Sequence, residues 1–329
     1  MSHYSDVVKR SFQAVDDLRD AGLKAPERVS RRDNLVYGKN KKWNRLDLYR
    51  PETGEKGKLL KLPVIVSIHG GAWIYGDKER YQYYCMSLCR YGFAVINFSY
   101  RLAPEHKYPA PVEDTATVFE WISKNAEACG LDTEAVFAVG DSAGASILCS
   151  YLAYLTDERY AEKLLRESRQ NSQLAKARHQ HELPKIRAAA VNCGIYSVRA
   201  RKNKPADFVY RLMKDVFKNG GTEEEVDLLE VAEAVNDRFP PMFVMTSASD
   251  FLKDQAPILM DALDRNGIPY EYHYYDNGKL PAHNLAHIFH CNMKLVESTV
   301  CNREECEYFK NLLKEQDEKK IKAKGIRND

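Results

Sequence analysis

A serine between two glycines is the residue whose setting most clearly indicates chemistry. Residues 140–144 read GDSAG, follow the apolar run 135–139 and open a helix-like stretch that reaches Leu155. A strand, a G-x-S-x-G turn and a helix in this order form a nucleophile elbow, which lifts the serine hydroxyl above the edge of a sheet. The alternative is a chance match in which Ser142 only caps a helix. The preceding strand favours Ser142 as a nucleophile.

A second motif, His69-Gly70-Gly71, directly follows the strand-like run 64–68. Acyl transfer builds negative charge on a carbonyl oxygen, and glycine N–H groups can approach that oxygen without obstruction from a side chain. Each such donor stabilises the transition state by roughly 2.7–4 kcal/mol. So short a motif could be only a turn, but both motifs follow strands and occur in the expected order. We therefore expect the N–H groups of Gly70, Gly71 and Ala143 to form an oxyanion hole.

A nucleophilic serine needs a base, and the base needs an acid that orients it. In a chain with a nucleophile elbow, the expected order is serine, acid, histidine. Asp250 follows the apolar run 242–246 and so lies just beyond the C-terminal end of a predicted strand, where the acid belongs. Asp254 is the rival, but it lies one helical turn later and is expected to face solvent.

Three histidines follow the last predicted strand, residues 270–275, and are candidates for the base: His283, His287 and His290. The loop that carries the base must be long enough to reach back over Ser142, which favours His287 over His273 within the strand. Position alone favours His287 over His283 and leaves both open.

Three segments together resemble the hormone-sensitive-lipase-like (family IV) carboxylesterases of the α/β-hydrolase superfamily. They are His69-Gly70-Gly71, GDSAG at 140–144 and YRLAPEHKYPA at 100–110, and the similarity covers roughly residues 60–315. The resemblance implies an α/β-hydrolase fold with a helical cap, which in that family is built from the N-terminal helix and a later insertion. The corresponding segments of this chain are residues 1–28 and 197–236, and both have helical patterns.

The resemblance also bears on the acid and the base. In this family the acid opens an Asp-x-Leu-x-Asp stretch, and residues 250–254 (DFLKD) match it, which implies Asp250 as the acid. The family histidine typically precedes a small residue and Phe. The sequence HIF at 287–289 is similar, which favours His287 as the base.

Two departures from the family pattern concern the base. Ile288 stands where the family usually has Gly after the histidine, and the preceding loop, residues 276–283, is longer than expected. Both departures keep His283 as a competitor of His287.

Further side chains receive supporting roles from the same resemblance. Arg101 and Glu105 are expected to form a buried network behind the oxyanion loop that starts at His69, with Asp114 as a possible member. An ordinary surface ion pair is the alternative. Asp141, next to the nucleophile, is expected to bind backbone near this loop without taking part in catalysis.

Alternating strand-like and helix-like segments are needed to position these residues. Apolar runs of strand length occur at 64–68, 93–98, 136–139, 188–193, 242–246 and 270–275, and helix-like stretches occur at 81–90, 112–129, 142–155 and 253–266. Strands buried on both faces that alternate with helices predict an α/β fold with a mostly parallel sheet covered on both sides. Residues 34–38 and 45–49 read as a hairpin before this part. We expect a single α/β-hydrolase domain over residues 1–329.

Composition excludes several classes of protein. Hydrophobic residues make up 44% of the 329 residues, which excludes a disordered chain, and 49 basic against 47 acidic residues leave a net charge of +2, unlike a typical nucleic-acid binder. The longest apolar runs are far shorter than the roughly 18 residues of a membrane span. The charged N-terminus lacks the apolar segment of a secretory signal, and the eight cysteines have no histidine at zinc-finger spacing. These features predict reduced thiols and a cytoplasmic location.

Together the residues predict a serine carboxylesterase that hydrolyses short-chain acyl or acetyl esters through a Ser142–His287–Asp250 triad, with no metal or cofactor. Amide or formamide hydrolysis and deacetylation of sugars or xenobiotics are alternatives, and a ligand-binding protein on a hydrolase scaffold is the non-enzymatic one. The expected partner is a small-molecule ester, with no nucleic acid and no membrane span, and a homodimer is a possible assembly. Bulky side chains are expected to confine the acyl pocket: Phe12, Trp73, Tyr75, Phe208, Tyr210, Met213 and Phe217.

Overall fold

The computed structural model describes residues 3–52, 59–168, 174, 183–204, 207–276 and 285–325. Within these residues, eight strands form one sheet: β1 Val29–Val36, β2 Arg45–Pro51, β3 Leu62–Ile68, β4 Ala94–Phe98, β5 Leu131–Asp141, β6 Ile186–Asn192, β7 Met242–Ser247 and β8 Tyr270–Tyr275. Their order across the sheet is β1-β2-β4-β3-β5-β6-β7-β8. Strand β2 pairs antiparallel with both of its neighbours, and the pairs from β4 to β8 are parallel.

Helices flank this sheet: α1 His3–Asp20, α2 Lys78–Cys89, α3 Ala110–Cys129, α4 Ala143–Thr156, α5 Glu158–Glu167, α6 Phe208–Val216, α7 Glu223–Val226, α8 Gln255–Arg265 and α9 Val296–Gly325. Short 3-10 turns occur at Arg199–Arg201, Asp227–Leu229, Val231–Ala234 and Phe289–Cys291. None of the helices in the described part of the chain is long and apolar enough to cross a membrane.

Both faces of the central strands are buried. Alternate residues of β3 pack into different apolar clusters, since successive side chains of a strand point to opposite faces. Val64 and Val66 join the cluster that contains Phe119 of α3 and Ile147 of α4. Ile65 joins the cluster that contains side chains of α2 and α9. The predicted α/β fold, a mostly parallel sheet with helices on both faces, is confirmed.

Most predicted elements are present, with shifted ends. The predicted hairpin is the antiparallel pair β1–β2. The helix predicted over residues 1–28 ends at Asp20, and Gly22 follows with a φ of +78°. A glycine that adopts a left-handed conformation commonly ends a helix. The segment 197–236 contains α6, α7 and 3-10 turns.

Candidate active site

Ser142 lies in a sharp turn between the end of β5 and the start of α4. Its backbone has φ 52° and ψ −120°, a conformation that residues with a side chain rarely adopt, and its N–H donates to the carbonyl of Asn192 over 3.0 Å. The turn brings helix and sheet so close that a Cβ on Gly144 would lie 2.0 Å from the carbonyl oxygen of Ile68. The glycine at position 144 is therefore required for this geometry. The predicted nucleophile elbow is the local structure observed here.

His287 contacts both Ser142 and Asp250. Its Nε2 lies 3.0 Å from the Ser142 Oγ, and its Nδ1 lies 2.6 Å from Asp250 Oδ1. A bridge between Ser249 and Ala286 pairs the loop after β7 with the segment that carries the histidine. The structure thus brings together the three residues predicted as nucleophile, base and acid.

Asp250 is held by donors on both carboxylate oxygens. The N–H of Leu252 donates to Oδ1 over 2.9 Å, and the Thr246 hydroxyl donates to Oδ2 over 2.8 Å. Burial raises the pKa of Asp250, but the attraction of His287 and these hydrogen bonds outweigh burial, so the pKa lies below its ordinary value. An ionised Asp250 favours the tautomer of His287 with the proton on Nδ1. The Nε2 atom is then free to accept a proton from Ser142.

The loop after β3 offers backbone N–H groups to the cavity that contains Ser142. Gly71 has a φ of +113°, and a Cβ there would lie 2.1 Å from the Tyr75 carbonyl oxygen, so only glycine fits. Ala72 follows with a φ of +52°. Among the described residues, the N–H groups of Gly71, Ala72 and Ala143 have no hydrogen-bond partner, and all three residues line the cavity.

Gly70 differs from the sequence-based expectation. Its N–H donates to the hydroxyl of Tyr81 over 3.0 Å, so this donor is already in use. The geometry therefore favours Ala72 over Gly70 as a candidate donor, and the sequence analysis missed Ala72. The motif gave no signal for this shift by one residue, because Tyr81 lies on α2 and reaches Gly70 only in the folded chain.

A cavity of about 260 Å³ lies over Ser142 and His287. Five rings follow one another along it: Tyr75 to Phe12 at 5.8 Å, Phe12 to Phe208 at 6.0 Å, Phe208 to Phe251 at 5.5 Å and Phe251 to His287 at 4.3 Å between ring centroids. Helix α1 contributes Phe12 and the start of α6 contributes Phe208, so both segments predicted as cap line the cavity.

Three of the side chains expected in the acyl pocket do not line the cavity as described. Met213 and Phe217 are buried in the apolar core, and the Tyr210 ring faces the Lys202 ammonium group. One side of α6 packs into the core, and its first residue faces the cavity. The sequence shows that the helix is rich in apolar residues but does not show which of them face the cavity, so the predicted lining was partly wrong. Phe12, Trp73, Tyr75 and Phe208 do line it, as expected.

Residues 65–283 match the alpha/beta hydrolase fold family. The chain belongs to this family. The family predicted from the sequence is thereby confirmed.

Two curated relatives match about two thirds of this α/β hydrolase. The versiconal hemiacetal acetate esterase of Dothistroma septosporum is 25% identical over 226 residues, which cover 67% of the chain and 66% of that protein. The acetyl esterase of Salmonella paratyphi A is 25% identical over 246 residues, 69% of the chain and 66% of that protein. The ethyl acetate hydrolase of Pseudomonas putida is 34% identical over a shorter stretch, 45% of the chain and 47% of that protein.

Solved esterase structures share the fold of this α/β hydrolase. Esterase B from Lactobacillus rhamnosis superposes with a TM-score of 0.82 at 24% identity, covering 97% of this chain and 100% of that one. An esterase from Pyrobaculum calidifontis superposes with a TM-score of 0.71 at 20% identity, covering 95% and 94%. These likenesses concern the fold.

Asp141 reaches the oxyanion loop through a tyrosine. The Tyr81 hydroxyl donates to Asp141 Oδ2 over 2.6 Å and accepts from the Gly70 N–H, so the backbone contact expected of Asp141 is relayed. Burial raises the pKa of Asp141 to about 7, although Tyr81 and His287 act in the opposite direction. The ring of His69 stacks on Tyr100 at 4.0 Å, and burial lowers its pKa to about 4, so His69 is neutral.

The network around Arg101 contains different acids from those expected. The Nη2 atom of Arg101 lies 2.7 Å from Glu113 Oε2, and the backbone N–H of Arg101 donates to the Asp114 carboxylate over 2.8 Å. Glu105 is wrong as a member: it is exposed and lies 3.6 Å from Lys42, the surface ion pair that was the alternative. The two acids at the start of α3 already occupy the guanidinium, and Glu105 lies in a turn that faces solvent.

The competing acid and bases have other surroundings. Asp254 forms an ion pair with Arg201 at 3.2 Å at the surface, as expected of a residue that faces solvent. His290 is buried, burial lowers its pKa to about 3, and its Nε2 contacts Cys291 Sγ at 3.4 Å. His273 lies near Glu304 at the edge of the sheet. His283 lies outside the described residues.

Two groups of side chains have the donor types and spacing that could hold a metal ion. Asp141, His290 and Cys291 form one, and Cys193, Asp250 and His287 form the other, with ligand atoms within 4.8 Å of one another in each. Asp141 already accepts from Tyr81, and His287 already bridges two partners. All eight cysteines are buried free thiols. The expectation of a reaction without metal or cofactor stays a prediction.

Proposed function

We propose that this α/β hydrolase is a serine carboxylesterase that hydrolyses short-chain acyl esters. The observation that carries the proposal is the relay from Asp250 through His287 to Ser142, which opens into an apolar cavity beside N–H groups without protein partners. The similarity to an acetyl esterase and an ethyl acetate hydrolase supports a small acyl group.

In the proposed mechanism, Ser142 Oγ attacks the ester carbonyl carbon while His287 Nε2 takes the hydroxyl proton. Asp250 holds the opposite ring nitrogen and stabilises the imidazolium that forms. The N–H groups of Gly71, Ala72 and Ala143 stabilise the negative oxygen of the tetrahedral intermediate. His287 then gives its proton to the leaving alcohol. A water molecule repeats the sequence on the acyl-enzyme and releases the acid.

The preference for short acyl chains rests on the size and lining of the cavity. Aromatic rings from α1, α6 and the loop after β7 border a space of about 260 Å³. Each methylene buried in such a space contributes about 0.8 kcal/mol while room lasts. Beyond that length, forcing extra atoms into a packed wall costs about 1–3 kcal/mol.

Three alanine variants test the assignment on p-nitrophenyl acetate. We expect Ser142→Ala and His287→Ala to lower kcat by several orders of magnitude, because each removes a member of a unit that acts together. We expect His283→Ala to keep a measurable fraction of the activity. Circular dichroism must show that all three variants fold.

Two results would contradict this account. A folded Ser142→Ala variant with most of its activity would exclude Ser142 as the nucleophile, whereas a folded wild-type protein without activity would leave the ligand-binding alternative. A His287→Ala variant that stays active while His283→Ala does not would transfer the role of the base to His283.

A further inference from the structure

A carboxylate interrupts the apolar wall of the cavity away from the triad. Among the described residues that line the cavity, Asp16 carries the only carboxylate. It lies on α1, one turn after Phe12, which packs against Phe208. The Tyr75 hydroxyl donates to Asp16 Oδ2 over 3.0 Å, and the Arg19 guanidinium lies 2.9 Å from Oδ1.

Asp16 keeps capacity to accept further hydrogen bonds. Its two oxygens together offer about four acceptor positions; Tyr75 occupies one of them, and Arg19 contacts Oδ1 as an ion pair. A buried carboxylate that is not fully hydrogen-bonded is costly, so such a group beside a cavity favours a ligand that donates to it. Asp16 is buried, and burial raises the pKa of its carboxyl group against the attraction of Arg19.

The surroundings favour a neutral donor over a cation. Arg19 is buried beside Asp16 but also pairs with Asp20, and Arg80 pairs with Asp17, so the charges around Asp16 already have partners. An ammonium group would also have to lose its hydration on entering an apolar cavity, which is costly. A hydroxyl donates one hydrogen bond without bringing a charge into the apolar cavity.

We propose that Asp16 binds a hydroxyl group of the substrate, so that the preferred substrates are esters carrying a hydroxyl group several bonds from the reacting carbonyl. The inference rests on the proposed function. Three rings stand between Tyr75 and His287 in the row of five, so the hydroxyl binds at the Tyr75 end of the row and not beside the base. That hydroxyl can belong to the alcohol or to the acyl part.

Two pairs of esters in which a methyl replaces the hydroxyl distinguish these sources. The first pair is 4-hydroxybutyl acetate and pentyl acetate, and the second is ethyl 6-hydroxyhexanoate and ethyl heptanoate. A hydrogen bond to a charged group corresponds to about a 10- to 100-fold effect. For the wild-type enzyme we expect kcat/KM to favour the hydroxylated member of one pair by about that factor.

Three variants separate binding by Asp16 from a structural role of this residue. We expect Asp16→Asn to reduce the preference about tenfold, because a neutral acceptor binds a hydroxyl less strongly. Tyr75→Phe removes a competing donor, so the preference should stay or rise. Val15→Ala, which alters the neighbouring apolar wall, is the matched control and should change both members of a pair equally.

The inference and the proposed function fail in different ways. Hydrolysis of all four esters with ratios near one in the wild-type enzyme would overturn the hydroxyl site alone. An unchanged ratio in Asp16→Asn, or its loss in Tyr75→Phe, would remove Asp16 as the binding group. The wild-type ratio and Tyr75→Phe decide the matter even where Asp16→Asn does not fold. Absence of any hydrolysis in the folded wild-type enzyme would contradict the proposed function itself, and the inference with it.

Discussion

Buried titratable side chains around Ser142 differ in charge because their surroundings differ. Hydrogen bonds and His287 hold the pKa of Asp250 below its ordinary value despite burial. Burial dominates at Asp141, raising its pKa to about 7, and at His69, lowering its pKa to about 4. At neutral pH the site therefore has an ionised Asp250 and a neutral His69. The carboxyl group of Asp141, with a pKa of about 7, changes its charge near neutral pH.

We predict a pH-dependent effect of Asp141→Asn on stability. The pKa of Asp141 rises from 3.8 to about 7 on folding, so between these pH values the folded state holds a proton that the unfolded state lacks. The wild-type free energy of unfolding should then fall relative to that of the variant, by at most about 1.4 kcal/mol per pH unit. Above about pH 7 the difference becomes constant. Urea unfolding of both proteins from pH 4 to 8 measures it.

Asparagine is a suitable replacement because it has a similar shape and can still accept from Tyr81. A difference between the two proteins that does not change from pH 4 to 8 would show that Asp141 has the same pKa in both states. If the wild-type protein instead became more stable relative to the variant as the pH rises, the folded state would favour the carboxylate.

At the scale of single residues, the sequence predicted the residues that lie in recognisable motifs and missed those whose contacts depend on packing between distant segments. Ser142 and Asp250 are marked by local patterns, and the structure brings them to His287. The choice of Ala72 over Gly70 depends on the hydroxyl of Tyr81, which arrives from another helix. The prediction for Glu105 failed for the same reason, namely packing between separate elements. Arg101 pairs with two acids on α3 and not with the acid that is nearest to it in sequence.

At the scale of elements, the position of the nucleophile depends on how closely α4 crosses the end of β3. A methyl group at Gly144 would lie 2.0 Å from a backbone oxygen of β3, an atom that cannot move without moving the strand. We predict that Gly144→Ala lowers the free energy of unfolding by more than about 3 kcal/mol and abolishes activity. Urea unfolding and p-nitrophenyl acetate hydrolysis measure the two effects.

Gly267→Ala is the matched control for this substitution. Gly267 has a φ of +66°, and a Cβ there meets no atom within 4 Å, so only the backbone conformation opposes the change. We expect a loss of about 1–2 kcal/mol with activity retained. Equal losses in both variants would contradict the close approach of α4 to β3.

The sequence predicted the bounds of the short parallel strands better than those of the long strand β5. β3, β4, β6 and β7 are short apolar runs, and their predicted and observed bounds differ by two residues or fewer. β5 begins at Leu131, five residues before the predicted run, because its first half includes partly exposed polar residues that pair only with Leu62 and Pro63. The early end of α1 follows from Gly22, which the apolar periodicity does not register.

At the scale of the whole molecule, we propose that substrate length is limited where α1 and α6 meet beside the cavity. Phe12 and Phe208 contact each other across this junction and border the cavity. We predict that wild-type kcat/KM peaks between acetyl and hexanoyl p-nitrophenyl esters. Phe208→Ala should move the peak to longer chains, with a gain of about fourfold for each methylene newly accommodated.

Tyr210→Ala is the control, because Tyr210 lies on α6 but outside the described lining of the cavity. Its profile should peak at the wild-type length. A wild-type maximum at dodecanoyl or longer, with activation at an oil–water interface, would contradict the confined cavity. The single domain with a cap, the cytoplasmic location and the homodimer stay predictions at this scale.

The central claim is that His287 activates Ser142 for attack on an ester, and covalent labelling tests it most directly. A fluorophosphonate reacts only with an activated serine, and tandem mass spectrometry locates the adduct. The account predicts one adduct on the wild-type protein, at Ser142, which is absent in Ser142→Ala and forms orders of magnitude more slowly in His287→Ala. A folded wild-type protein that forms no adduct, or forms it at another residue, would contradict the account.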